Sequence, residues 1–338
     1  MGALQTVRNF FVGNIKLYPA FVKSRTCLFI EHYIDTLFQE EEKEEMFKTL
    51  LKFVVECVGC QSPEYGALPE QALDALSFIF QEKGLTIKLS PFVNDILQQL
   101  IFYTKVIRSS KFYEILVEIV KYYSHHLRQN PTLLGNFLEV LVERVQFEYE
   151  NYKQNKNFKK ILIHRVWGIF ILIAENKLFM NNFQEDIERI LSPLFAYLST
   201  DKDVIFEDDV MRYMISAIKL SKRVSNACWE IFKACPIIFM QAQTISNLMF
   251  KALNQVIIHG RNVLENDATA VKALIDMGIH TLKFSQLKDD NFDICKGALL
   301  LQLVIQYLGN ISNEDWNSIL GVCTDMLFQV QQDFIKTK

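Results

Sequence analysis

Apolar residues recur along this chain at helical spacing, and the recurrence is interrupted by short polar stretches rather than by strand-like alternation. Met46, Leu50, Phe53, Val54 and Cys57 share one helix face, as do Phe112, Ile115, Leu116 and Ile119. Phe183, Ile187, Ile190, Leu191 and Leu194 form a third stripe, and Trp316, Ile319, Leu320, Cys323, Met326 and Leu327 a fourth. In NACWEIFKAC, Trp229 sits among Cys228, Ile231, Phe232 and Cys235 and is expected to be buried between helices. The punctuation agrees with these helices. Pro69, Pro91 and Pro131 suit first helical turns, where the missing N–H costs nothing. Gly84, Gly260 and Gly309 mark stops.

About fourteen helices follow, joined by the short connections that make antiparallel neighbours. One compact core stops growing at roughly 250–300 residues. The 338-residue chain therefore favours a stack in which each helix pair touches its neighbours. The expected fold is all-α: a HEAT-like α-solenoid of about seven antiparallel helix pairs running through 1–338 as a single domain.

Composition narrows the function. Half of the residues are hydrophobic, 22% are charged, and the net charge is −3. That is a globular chain without the basic excess of a general nucleic-acid binder. The apolar run 161–174 is broken by His164 and Arg165, and 298–308 carries Gln302 and Gln306. Neither approaches the roughly 18–20 apolar residues needed to cross a bilayer, so no membrane role is expected. The first 19 residues lack an apolar run ending in a small-residue cleavage site, so secretion is not indicated.

Candidate chemistry is sparse. The seven cysteines read as thiols in a reducing compartment, and the lone CxxC, Cys57 to Cys60, as a helix end. His125 and His126 suit a helix C-terminus. No phosphate-cradling, nucleophile-elbow or paired-histidine metal motif occurs. No catalytic, cofactor or metal site is expected, and the chain is read as a non-enzyme. Two acidic clusters remain: Glu40, Glu41, Glu42, Glu44 and Glu45, then Glu207, Asp208 and Asp209. Each reads either as a carboxylate-rich helix start or as a docking patch for a basic partner. Lys153, Lys156, Lys159 and Lys160 read as an exposed polar connection.

Several segments resemble, in collinear order, the central part of nuclear transport receptors of the importin-β superfamily, closest to the importin-seven and importin-eight type. VKSRTCLFIEHYIDTLF (22–38) is similar to the family's Arg-x-Cys helix, with Arg25, Cys27 and Tyr33. Residues 67–84 and 90–106 resemble its next repeat, in which a Pro-initiated helix precedes one opening with Pro-Phe. Residues 183–239, with Phe206, Glu207, Asp208, Ser221, Ser225 and Trp229, resemble the passage that leads from an aromatic-acidic start to a Trp-bearing helix. The resemblance spans roughly 18–330. It implies a carrier of protein cargo, often basic, moving between cytoplasm and nucleus through weak contacts with Phe-Gly nucleoporins. The residues give no support for binding of the small GTPase Ran, because the family's N-terminal repeats grip it and this chain begins where the middle would, either as a segment of a longer receptor or as a short relative. The rival reading is a HEAT scaffold subunit of a stable multiprotein complex. An exposed apolar strip would favour the scaffold, and an acidic inner face the carrier.

Overall fold

The computed structural model describes residues 17–37, 44–82, 85–156, 160–201, 204–243, 245–288, 291–309 and 311–336. Of these, 86% are helical and none is in a strand, far above the roughly 30–35% helix of an average globular protein. The chain forms two compact units, Met1–Ile173 and Ala174–Lys338.

The first unit holds α1 (Ala20–Leu37), α2 (Glu44–Val58), α3 (Leu68–Gln81), α4 (Val93–Tyr103), α5 (Ser110–Gln129), α6 (Pro131–Gln154) and α7 (Ile161–Ala174), the last ending one residue past its boundary. Here α1 packs on α3, α2 on α4, α3 on α5 and α4 on α6, while α2 and α3, α4 and α5, and α5 and α6 pair as chain neighbours. Contact with both the next helix and the next but one is the mark of stacked helix pairs, and each unit stacks as an α-solenoid does.

Local signals account for the helix boundaries. Pro69 lies in the first turn of α3 and Pro131 opens α6. Ahead of Pro131, the Asn130 side chain accepts a hydrogen bond from the Leu133 N–H at 3.1 Å. Pro91 sits in a short 3-10 turn, Ser90–Phe92, that leads directly into α4. The stripes predicted on α2 and α5 are core: Leu50, Phe53, Val54 and Cys57 are buried, as are Phe112, Ile115, Leu116 and Ile119.

The second unit holds α8 (Lys177–Thr200), α9 (Glu207–Ser221), α10 (Asn226–Ala242), α11 (Asn247–His259), α12 (Ala268–Lys288), α13 (Asn291–Tyr307) and α14 (Asn313–Lys336). The same order recurs: α8 on α10, α9 on α11, α10 on α12, α11 on α13 and α12 on α14. Ser225 and Ser246 cap α10 and α11 by accepting from the Cys228 and Met249 N–H groups.

Two expectations change. Trp229 is half-buried, not enclosed; its ring lies across Gly260, where an added Cβ would come within 2.8 Å of the indole and 2.7 Å of the Val256 carbonyl oxygen. Gly260 is thus required by close approach, and the fully buried tryptophan is Trp167. On α14 the predicted stripe divides. Ile319 and Val322 are buried against α12, whereas Leu320, Cys323 and Leu327 face outward. The remaining predicted stops, Gly84 and Gly309, fall respectively outside the described residues and two residues beyond α13.

In the second unit α12 and α13 approach closely at two glycines. A Cβ on Gly297 would lie 2.9 Å from the Gly278 carbonyl oxygen and 3.2 Å from the Leu282 nitrogen. These are backbone atoms of a helix and do not yield as a side-chain tip would. Gly297→Ala is therefore expected to destabilise by about 1–3 kcal/mol through overpacking, read as a lower urea midpoint. An unchanged midpoint would mean that the two helices are free to separate.

Candidate functional site

Of the first acidic cluster, Glu40, Glu41 and Glu42 lie outside the described residues. Glu44 and Glu45 form the first turn of α2, with their side chains likewise outside the description. Glu207, Asp208 and Asp209 make up the first turn of α9, where carboxylates meet the positive end of the helix dipole. They differ in surroundings: Asp208 is exposed, Glu207 half-buried and Asp209 buried. Burial, and then the neighbouring Asp208 charge, hold the Glu207 carboxyl above its usual range.

The most deeply buried charged groups lie elsewhere. In the first unit Arg144 and Glu148 face inward on α6, with exposures of 5% and 2%. Their Nη2 and Oε1 atoms are 2.5 Å apart. Arg144 Nη1 also donates to the Lys105 carbonyl oxygen at 3.2 Å, which ties α6 to the turn after α4. Arg108 Nε stands 3.7 Å from the same Glu148 oxygen, and both guanidinium groups lie over the Phe147 ring at 5.5 Å. Beneath them, burial pushes the Tyr113 hydroxyl up to about 12.

In the second unit a buried carboxylate replaces the ion pair. Glu188 on α8 is 4% exposed. Its Oε1 accepts from Gln184 Nε2 at 2.8 Å and from Ser225 Oγ at 2.9 Å, so a single oxygen joins two turns of α8 to the cap of α10. Burial raises the Glu188 carboxyl, while the bonds from Gln184 and Ser225 and the charge of Arg223 work in the opposite direction. Burial and the Glu188 charge lift the Cys228 thiol to about 12 and raise the enclosed Tyr213 hydroxyl as well. An open groove of about 630 Å³ runs above Glu188, between α8 and the start of α10. Glu188 was detectable in principle: Gln184, Glu188, Leu191 and Phe195 fall on one helical face, so a polar pair interrupts an apolar stripe.

The remaining reactive side chains have structural surroundings. Cys27 and Cys57 are buried together. The hydrogen bond with Cys27, then burial, drives the Cys57 thiol above its ordinary range and away from the reactive thiolate. Ser90 Oγ and His126 Nε2 are 2.6 Å apart, which fastens the turn before α4 to the end of α5. Burial, with the adjacent His125, lowers the His126 imidazole. Among the described residues no group of three or more acidic, cysteine or histidine side chains is placed to hold a metal ion, and no helix is long and apolar enough to cross a membrane.

Comparison with known proteins gives no match to any family model, curated protein or solved structure.

Two consequences can be measured. Removing one partner of a buried ion pair strands the other, so Glu148→Gln is expected to cost about 3–5 kcal/mol in chemical denaturation; a loss below 1 kcal/mol would place Arg144 in solvent. For Glu188 the folded-state pKa is raised above the ordinary value of about 4.5. The carboxyl's contribution to stability is therefore fully present below pH 4.5 and is lost as pH rises through the folded value. Glu188→Gln, which keeps an acceptor for Ser225, should flatten the decline in melting temperature on raising the pH from 4 to 7. Identical slopes in the two proteins would refute this assignment.

Proposed function

We propose that this chain acts by binding other proteins on the surfaces of its stacked helices, and that it carries protein cargo between cytoplasm and nucleus as the receptors it resembles do. The observation that carries this reading is the repeated packing of each helix on the next but one in both units. Such stacking leaves long solvent-facing helix rows, which suit extended contact with a partner. The collinear resemblance to importin-type receptors supplies the cargo class and the Phe-Gly nucleoporin contacts. Ran is not part of the proposal and enters only as an arm of the experiment below. No cofactor is invoked, and neither membrane nor nucleic acid is proposed as a partner.

One feature favours the second reading, a scaffold subunit in a stable complex. On α14, Leu320, Leu327 and Phe328 are 57%, 72% and 61% exposed, and Cys323 lies on the same face. An outward apolar strip of this kind suits a permanent neighbour better than a transient cargo.

Affinity capture of the full chain, with and without GTP-locked Ran, separates the two. A carrier is expected to retain a protein partner, shuttle between compartments and bind Phe-Gly repeats weakly. Release of that partner by Ran would add a Ran-gated cycle. A stoichiometric complex that ignores both Ran and Phe-Gly repeats would sink the carrier reading in favour of the scaffold.

A further inference from the structure

The groove above Glu188 has a mismatch between its charges and their partners. Arg223 Nη2 lies 3.5 Å from Glu185 Oε1, Arg189 Nη2 2.9 Å from Asp186 Oδ1, and Lys233 Nζ 2.8 Å from Glu230 Oε1. The charged groups at the rim are therefore matched among themselves. Glu188 is held differently: its Oε1 accepts from two neutral donors, no hydrogen bond from a described residue reaches Oε2, and the Arg223 charge acts on it without an ion-pair contact. Glu188 nonetheless contributes to the floor of the groove. A carboxyl that is 4% exposed overall, with one oxygen free of protein donors beneath an open groove, leaves a place where a donor from outside can replace water.

The shape indicates what arrives. Val224 and Ala227 line the groove beside Glu188 and offer apolar contact, as the methylene stem of a lysine or arginine requires. Ser192 and Asn226 are exposed along its edge, positions suited to hydrogen-bonding the main chain of a peptide. The volume of about 630 Å³ exceeds the need of a single amine and falls among pockets that take ligands of several hundred Å³. The positive end of α10 and the Ser225 hydroxyl help to keep Glu188 ionised, while burial opposes ionisation. A cation delivered to Oε2 would shift that balance in favour of the carboxylate.

We propose that this groove receives a lysine or arginine side chain of a partner polypeptide, with the cationic nitrogen on Glu188 Oε2 and the stem along Val224 and Ala227. The proposal rests on the protein-binding reading above and assigns one chemical class of side chain to one place in the second unit.

The test uses the full chain and a fluorescein-labelled Gly-Arg-Gly-Arg-Gly peptide, followed by fluorescence anisotropy. Its counterpart with citrulline at both arginine positions keeps the shape and removes the charge. The arginine peptide is expected to bind at least tenfold more tightly than the citrulline peptide, and Glu188→Gln should abolish the difference. Ser192→Arg adds a guanidinium one helical turn from Glu188, at an exposed position that leaves the core untouched. It should occupy the site in cis, blocking the peptide without lowering the melting temperature. Asp208→Asn removes an exposed carboxylate elsewhere and should change nothing. Arginine-peptide binding that persists in both Glu188→Gln and Ser192→Arg would overturn the proposal, as would spermine binding as tightly as the peptide, which would assign the groove to a free polyamine. Neither result bears on the Ran and Phe-Gly experiment, so the groove and the carrier reading fail separately.

Discussion

The structure depends on burying more than one face of nearly every helix. A helix in a pair meets its chain neighbour on one side and the next helix but one on another, so a single narrow stripe is not enough. α5 shows the demand: Phe112, Tyr113, Ile115, Leu116, Ile119, Val120, Tyr123 and Leu127 are all buried, and they wrap well beyond one stripe. The same requirement explains why half of the residues are hydrophobic although many helices lie at the surface. It also makes each interface local, since what stabilises α4 is its contact with α2, α5 and α6.

Against that background the buried polar groups stand out, because each one is withdrawn from water inside a stack that would otherwise be apolar. Arg144 and Glu148 neutralise one another and fasten a helix to the turn of a neighbouring pair. Such pairs add little net stability relative to apolar packing, but they penalise misalignment strongly. Glu188 has no ion-pair contact of that kind, only the more distant charge of Arg223. Its hydrogen bond from Ser225 ties α8 to the start of α10, and that from Gln184 stays within α8; both fall on one of its two oxygens. The other oxygen is what links a structural element of the fold to a surface groove.

Functionally, the acidic residues that are most conspicuous in the sequence and those that are most constrained in the structure differ. Glu207, Asp208 and Asp209 are accounted for by the start of α9, and one of the three is freely exposed. A run of charges costs little wherever it meets solvent and a helix dipole. A single carboxylate held inside the core costs far more and therefore carries more information about what the protein binds.

The helices themselves were legible in the sequence because their determinants are local: spacing of apolar residues, prolines in first turns and capping side chains act within a few residues. Pro131 with Asn130, and the α5 stripe, needed no knowledge of the rest of the chain. The all-α stacking followed from the same local evidence combined with the limit on core size. The tertiary structure decided which of several equivalent faces became core. Leu320 and Ile319 are adjacent and equally apolar, but only Ile319 is buried, on a helix that packs on α12. Trp229 was drawn to a half-buried place by Gly260, thirty-one positions away in sequence. Glu188 has Gln184 as a partner on its own helix, which spacing could show, but Ser225 comes from the cap of α10, and periodicity carries no trace of a contact between elements, because it records how residues are arranged around one helix axis and not which neighbour comes to lie against them.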